Sequence, residues 1–289
     1  MATEAPPLAV DAAASSAAAW QWNTPPRAWV PLELGALWRY RELLYFLAWR
    51  DIKVRYQQTV LGIAWAVIQP VFMAVIFSLF LGRLAGLPSD GLPYPLFVYS
   101  GLVVWQLFAL ALSETTSSVV ANASLVTKVY FPRLVIPLAA VSVGVVDALI
   151  ASGVLVALLV YYRLPLSPPL VVAPLFLLLA ALSALAVGIW LAALNVQYRD
   201  VRYTTPFLTQ LWLFATPVVY PSSLVPEAWR PLLGLNPMAG VVEGFRWAVV
   251  GRGALSFELL ATSVATTAVL LLGGLFYFRR LEQSFADTV

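Results

Sequence analysis

The sequence contains no cysteine and no histidine. The first absence excludes disulfide scaffolds, thiolate metal sites and cysteine nucleophiles; the second excludes imidazole ligands and every histidine-based acid–base mechanism. Charge is scarce too, at 11% of residues where a soluble domain carries about a quarter. Of the 17 basic residues only Lys53 and Lys128 are lysines, and neither follows a glycine. The phosphate-binding G-x-x-x-x-G-K loop is therefore missing, and ATP hydrolysis by this chain alone is excluded. What fills the 289 residues is apolar, 61% hydrophobic with mean hydropathy +0.85. One soluble core of this length could not hide that much apolar surface, so the surplus faces lipid. The net charge of +3 and the pI near 9.2 fit basic residues flanking membrane spans better than a nucleic-acid partner, and none is expected.

Four regions are expected: a disordered tail over 1–30, an amphipathic interface helix over 31–60, a membrane domain over 61–280 and a cytoplasmic tail over 281–289. The first region is rich in Ala and Pro and carries Glu4 and Asp11 where a signal peptide needs a basic start. In the second, at 100° per residue, Leu37, Tyr40, Leu43, Leu44, Leu47 and Val54 share one arc while Arg39, Glu42, Arg50 and Lys53 share the opposite one. With Trp38, Tyr45 and Trp49 on its flank, this helix is expected to lie along the membrane interface. Asp51, inside the apolar arc, favours the other reading of that pattern, a helix packed on protein.

Six stretches are long and uncharged enough to span, over 61–82, 91–113, 134–162, 170–195, 203–224 and 259–278. The fold class is thus all-α and polytopic, with Pro70, Pro206 and Pro217 expected as kinks. With both termini inside, twelve of the 17 basic residues are cytoplasmic and only Arg83, Arg163, Arg230, Arg246 and Arg252 fall outside, as the positive-inside rule asks. The outer segment 221–258 reads as two short re-entrant helices about the Asn236-Pro237 break, or as a plain surface hairpin; its G-x-x-x-G at Gly240 and Gly244 suits close helix approach. On the inner side, 114–133 has helical capacity and few charges, the makings of a docking segment or an ordinary solvated loop. Arg199, Asp200 and Arg202 crowd the short loop 195–203, where a local ion pair is the simplest reading.

Asp147 is the one acid inside a span. It reads either as a proton-relay carboxylate or as a structural partner of an arginine such as Arg163 or Arg246. The second is preferred, because proton-coupled transporters gather several buried ionisable groups. Aromatic rings are frequent on the first, second and fifth spans. Most rings in such positions face lipid, core or the interface; the other use open to them is a path along which the apolar faces of sugar rings slide.

The run Arg50-Asp51-Ile52-Lys53-Val54-Arg55-Tyr56, followed by Thr59-Val60-Leu61-Gly62, Trp65 and Gln69-Pro70, resembles the start of the membrane subunit of polysaccharide-exporting ABC transporters, within the ABC-2 type permeases. Three further stretches match in order: Lys128-Val129-Tyr130-Phe131-Pro132-Arg133; Asn195-Val196-Gln197-Tyr198-Arg199-Asp200-Val201; and Leu235-Asn236-Pro237-Met238 with Glu243-Gly244-Phe245-Arg246. The resemblance covers residues 34–280. It implies a non-catalytic half-transporter of the bacterial inner membrane: a homodimer with two ATP-binding cassette ATPase subunits, which bind ATP and Mg. The cargo it implies is an undecaprenyl-pyrophosphate-linked polysaccharide, O-antigen, capsule or teichoic acid, of which O-antigen is preferred; membrane lipid is the other partner.

The same resemblance implies residue roles. Trp65, Phe72, Trp212, Phe214 and Tyr220 would line the path. Arg50, Lys53 and Arg55 would meet the carrier's pyrophosphate, although plain positive-inside anchoring explains them equally. Glu114, Asn122, Lys128, Tyr130, Arg133, Arg199 and Asp200 would couple to the ATPase, and Asn236, Pro237, Met238, Glu243 and Arg246 would form the outer gate. An ABC-2 exporter of a drug or small lipid shares this topology. An ion-coupled secondary transporter and a membrane glycosyltransferase lack the convergent ionisable groups they need.

Overall fold

The computed structural model describes residues 34–57, 62–165, 167–251, 255–282 and 285, among which every regular element is helical. The tail over 1–30, the Thr59-Val60-Leu61 stretch, Arg252 and most of the tail after 282 lie outside the described residues. The helices are α1 (Leu34–Arg39), α2 (Arg41–Gln57), α3 (Ala64–Phe77), α4 (Tyr94–Ala121), α5 (Ala123–Lys128), α6 (Val135–Tyr161), α7 (Ala173–Gln197), α8 (Val201–Ala215), α9 (Arg230–Gly234), α10 (Ala239–Val250) and α11 (Phe257–Leu281). With α3 continuing as a π-helix to Leu84 and α7 preceded by a 3₁₀ turn from Pro168, five helices are long and apolar enough to cross a membrane: Ala64–Leu84, Tyr94–Ala121, Val135–Tyr161, Pro168–Gln197 and Phe257–Leu281.

The stretch expected to span over 203–224 differs. Its helix, α8, has 15 residues, about 22 Å at 1.5 Å per residue, against roughly 30 Å of hydrocarbon. Pro217 accounts for the early end. It offers no N–H to the helical ladder, and the residue before a proline is pushed out of the α region; Thr216 accordingly takes φ −104°, ψ 140°. The chain completes this layer with the turn 216–220 and short 3₁₀ helices at Ser222–Leu224 and Glu227–Trp229.

α4 is the centre of the bundle. Apart from Gln106 and Glu114 it is apolar or small-polar all round, which suits a helix enclosed by protein, and it packs against α3, α6, α7, α8 and α10. Close approach is set by small residues: a Cβ on Gly144 of α6 would stand 2.9 Å from the Leu107 carbonyl oxygen, and one on Gly188 of α7 would stand 2.6 Å from Thr115. Phe97, Tyr99, Phe108, Phe176 and Phe245 fill the larger core around α4. A second cluster at the α5 end joins Leu47, Val126, Phe131, Val135 and Phe278.

α1 and α2 together use both readings of the pattern over 31–60. Trp38, Tyr45 and Trp49 are exposed, as an interfacial helix requires, while Leu43, Leu44 and Leu47 pack into the second cluster. The far end of α2 reaches Asp147, twelve residues along α6 from Val135, or about 18 Å of helix. α2 therefore climbs along α6 instead of staying at its foot.

Candidate functional site

Between α3, α4, α6 and α8 lies a cavity of about 460 Å³. Its apolar walls carry polar groups that a lipid-facing surface would avoid: Gln69 from α3, Gln106 and Ser113 from α4, Thr209 and Gln210 from α8, and Asp147 of α6 with Arg55 of α2 reaching in. The expected path rings sit elsewhere. Trp65 and Phe72, seven residues apart and so on one face of α3, are 52% and 65% exposed, and Phe214 of α8 is exposed beside Phe77, edge to face at 6.5 Å. Trp212 turns inward, its ring 5.1 Å from Phe108 and its Nε1 donating to Asn236, and Tyr220 is half-buried against the main core.

At the cavity's α2 side the three basic residues of the RDIKVRY run separate. Lys53 is exposed. Arg50 pairs with Asp51 at 2.7 Å and donates from Nη2 to Asn122 Oδ1 at 2.8 Å. Arg55 donates from Nη2 to Asp147 Oδ2 at 2.7 Å and from Nε to Oδ1 at 3.3 Å, and the Tyr56 hydroxyl donates to the same carboxylate. Burial and the Asp147 charge push the Tyr56 phenol up, which keeps it a donor. Glu114, half-buried on α4, lies within electrostatic reach of Arg55, Asp51 and Asp147. Asp147 thus does pair with an arginine, but with Arg55 and neither Arg163 nor Arg246.

The residues expected to couple to a partner divide into tied and free. Asn122 marks the break between α4 and α5, its Nδ2 donating to the Ser118 carbonyl at 2.8 Å while its Oδ1 holds Arg50. Arg133 binds the end of α11, its N–H donating to Glu282 Oε1 at 2.8 Å and its guanidinium to the Glu282 carbonyl. Lys128, Arg199 and Asp200 are exposed, and Tyr130 is 95% exposed. Among the described residues no ion pair joins Arg199 or Arg202 to Asp200.

At the opposite end, the residues expected to form an outer gate are buried or tied to neighbouring segments. Asn236 Oδ1 accepts from Trp212 Nε1 and from the Met238 N–H, its Nδ2 donates to Thr216 Oγ1 at 2.9 Å, and its carbonyl accepts from Ser263. Pro237 and Met238 are buried. The G-x-x-x-G serves two contacts: a Cβ on Gly240 would meet the α11 backbone at 2.7 Å, and one on Gly244 would meet the Phe176 ring. Arg246, buried, donates to the carbonyls of Pro217 and Val218 at 3.1 and 3.2 Å, with its guanidinium carbon 3.7 Å from the Phe97 ring centroid. Burial lowers its pKa to about 10, opposed by Glu243 and Asp90, so it stays charged at neutral pH. Glu243 accepts from the Ser222 N–H. A second cavity, about 380 Å³, opens beside them between Asp90, Glu243, Trp247 and Glu258.

Sequence reasoning missed the cavity glutamines and the Arg55–Asp147 pair. For the first, the signal was one carboxamide in each of three apolar stretches, a costly residue to place in hydrocarbon. For the second, it was the helical wheel itself: at 100° per residue Arg55 returns to the angle of Leu37, so it stands with Asp51 on the face that packs.

The ABC-2 type transporter family matches residues 42–250. The chain is 30% identical over 247 residues to an O-antigen export system permease protein RfbA of Klebsiella pneumoniae, covering 85% of this chain and 94% of the relative. It is 29% identical over 256 residues to the protein of the same name in Myxococcus xanthus, covering 88% and 97%. To the polysialic acid transport protein KpsM of Escherichia coli it is 25% identical over 244 residues, covering 81% and 92%. The family match runs from α2 to the end of α10 and takes in every helix that frames the cavity. On that ground the chain, a multi-pass membrane transporter rather than an enzyme, belongs to the ABC-2 type transporter family.

Proposed function

We propose that the chain is the transmembrane subunit of an ATP-driven exporter that carries an undecaprenyl-pyrophosphate-linked polysaccharide, O-antigen in first place, from the cytoplasm across the bacterial inner membrane. Two copies form the path, and two ATP-binding cassette subunits, holding ATP and Mg, bind at the α5 end with both termini cytoplasmic. The observation that carries the reading is the likeness, along nearly the whole chain, to permeases named for O-antigen export. The geometry supports it in two ways. Gln69, Gln106, Thr209 and Gln210 offer donors and acceptors that a polyhydroxylated chain can exchange one for another as it moves. The exposed rings of Trp65, Phe72 and Phe214 lie on α3 and α8, whose faces stay largely uncovered in one copy, and a second copy brought against them would place those rings along a shared path.

In this mechanism ATP-driven closure of the partner pushes α5, where Lys128 and Tyr130 are free to dock, and α3 moves as a rigid body against α8 to open the cavity into a groove. Arg50, Lys53 and Arg55 meet the carrier's pyrophosphate as it enters from the cytoplasmic side, Arg55 deepest; Asn236, Pro237, Met238, Glu243 and Arg246 close the outer side. The test is a strain lacking the gene. Surface polysaccharide should vanish and its lipid-linked precursor accumulate in the inner membrane, both restored by expression of the chain. Unchanged surface polysaccharide with new sensitivity to small amphiphiles would move the protein to the drug or small-lipid exporters.

A further inference from the structure

The carrier's head group needs a cation, yet Arg55 is already taken. It holds Asp147 through two hydrogen bonds, and Asp51 and Glu114 add negative charge nearby. An anion that takes the same edge of the guanidinium, Nε and Nη2, must displace that carboxylate. The exchange is open to it, because both side chains line the 460 Å³ cavity and keep 32% and 14% of their surface exposed. The same cavity offers the carboxamides of Gln69, Gln106 and Gln210 to a released Asp147, which is then not stranded in hydrocarbon. Along the same helix, Arg50 is bonded to Asn122 at the α4–α5 break. α2 is thus fastened to Asp147 by Arg55 and Tyr56, and by Arg50 to Asn122 at the segment that faces the proposed ATPase.

We infer that the Arg55–Asp147 pair is an anion-exchange latch: a phosphate or pyrophosphate head group entering the cavity takes Arg55 from Asp147, loosens the end of α2 on α6, where Tyr56 then holds the carboxylate alone, and passes the change through Arg50 and Asn122 to α5. This rests on the exporter reading and adds its regulation, in which ATP turnover answers to loaded carrier. Arg55 is the anion contact; Asp147 is a positioning residue that competes with cargo for it.

The test uses the complete complex of chain and ATPase partner in proteoliposomes, with a polyprenyl-pyrophosphate-linked glycan in the bilayer and soluble inorganic pyrophosphate titrated separately. Asp147→Asn removes the competitor. It should lower the half-saturating anion concentration about fivefold or more, the size of an ordinary allosteric coupling, and raise ATPase activity without cargo, while Asp147→Glu returns both toward wild type. Arg55→Gln should weaken binding instead. A merely structural ion pair would move affinity the same way from either side, and that result overturns the latch. Tightening in either arm supports the exchange and identifies the anion's source; tightening in neither overturns it. Should Asp147→Asn fail to assemble, Asn122→Ala, remote from the cavity, carries the test: wild-type affinity with lost stimulation supports the latch, and retained stimulation overturns it. A wild-type complex that ignores the glycan lipid altogether sinks the exporter reading itself, an outcome distinct from a stimulated complex in which Asp147→Asn changes nothing.

Discussion

Arg55 and Arg246 are both drawn into the protein, and they are held in opposite ways. Arg55 meets a carboxylate at the rim of a cavity and keeps a third of its surface. Arg246 is buried, lies on the Phe97 ring and spends hydrogen bonds on the backbone carbonyls of Pro217 and Val218. A carboxylate at a wet edge can be exchanged for another anion; carbonyls at the end of a proline-broken helix cannot leave. The α2 end of the molecule is therefore built for partner exchange, and the α10 end for holding a broken backbone in place.

The sharpest way to break this contrast is at Arg246. Arg246→Ala strips two carbonyls and a ring contact at once, a loss of about 3–5 kcal/mol, and is expected to give a permease that aggregates on purification, read by size exclusion and thermal unfolding in detergent. Gly240→Ala attacks the same end through packing. Its Cβ would sit 2.7 Å from the backbone of α11, and the expected cost is about 1–3 kcal/mol, seen as a lower unfolding temperature with export retained in proportion to folded protein. At the α2 end the order of effects reverses. Asn122→Ala should cost only about 1 kcal/mol of stability and yet uncouple ATP turnover from export, measured as ATPase activity that glycan lipid no longer raises. Tyr130→Ala, at a 95% exposed position, should leave stability within about 0.5 kcal/mol of wild type while weakening capture of the ATPase subunit in pull-down.

Much of the contrast was readable from the chain, for identifiable reasons. Runs with few or no charges, set off by charged residues or loops, located α4, α6, α7 and α11 to within a few residues, except that α4 runs on eight residues past Ser113 into the inner loop, where Thr116 and Ser118 satisfy their hydroxyls on their own helix. Over 203–224 the helix ends at Ala215, and an apolar scale does not register what Pro217 does to the residue before it. The Asn236-Pro237 break was legible as a break, but its bonds to Trp212, Thr216 and Ser263 were not, since each crosses twenty or more residues. The Arg55–Asp147 pair spans 92 residues. Its sign, two charges on an apolar arc, was present in the helical wheel, but a wheel names no partner.

The absence of cysteine makes the decisive measurement accessible, because introduced thiols are the only ones in the chain. Spin labels at Val54→Cys on α2 and Leu149→Cys on α6, both exposed positions, with labelled chain diluted in unlabelled chain, report the separation of the two helices by pulsed electron resonance. On addition of a polyprenyl-pyrophosphate-linked glycan a new, longer population of distances is expected for this pair and no change for a pair placed across α10 and α11. An α2–α6 distance that stays single and unmoved while the same sample exports glycan would contradict it.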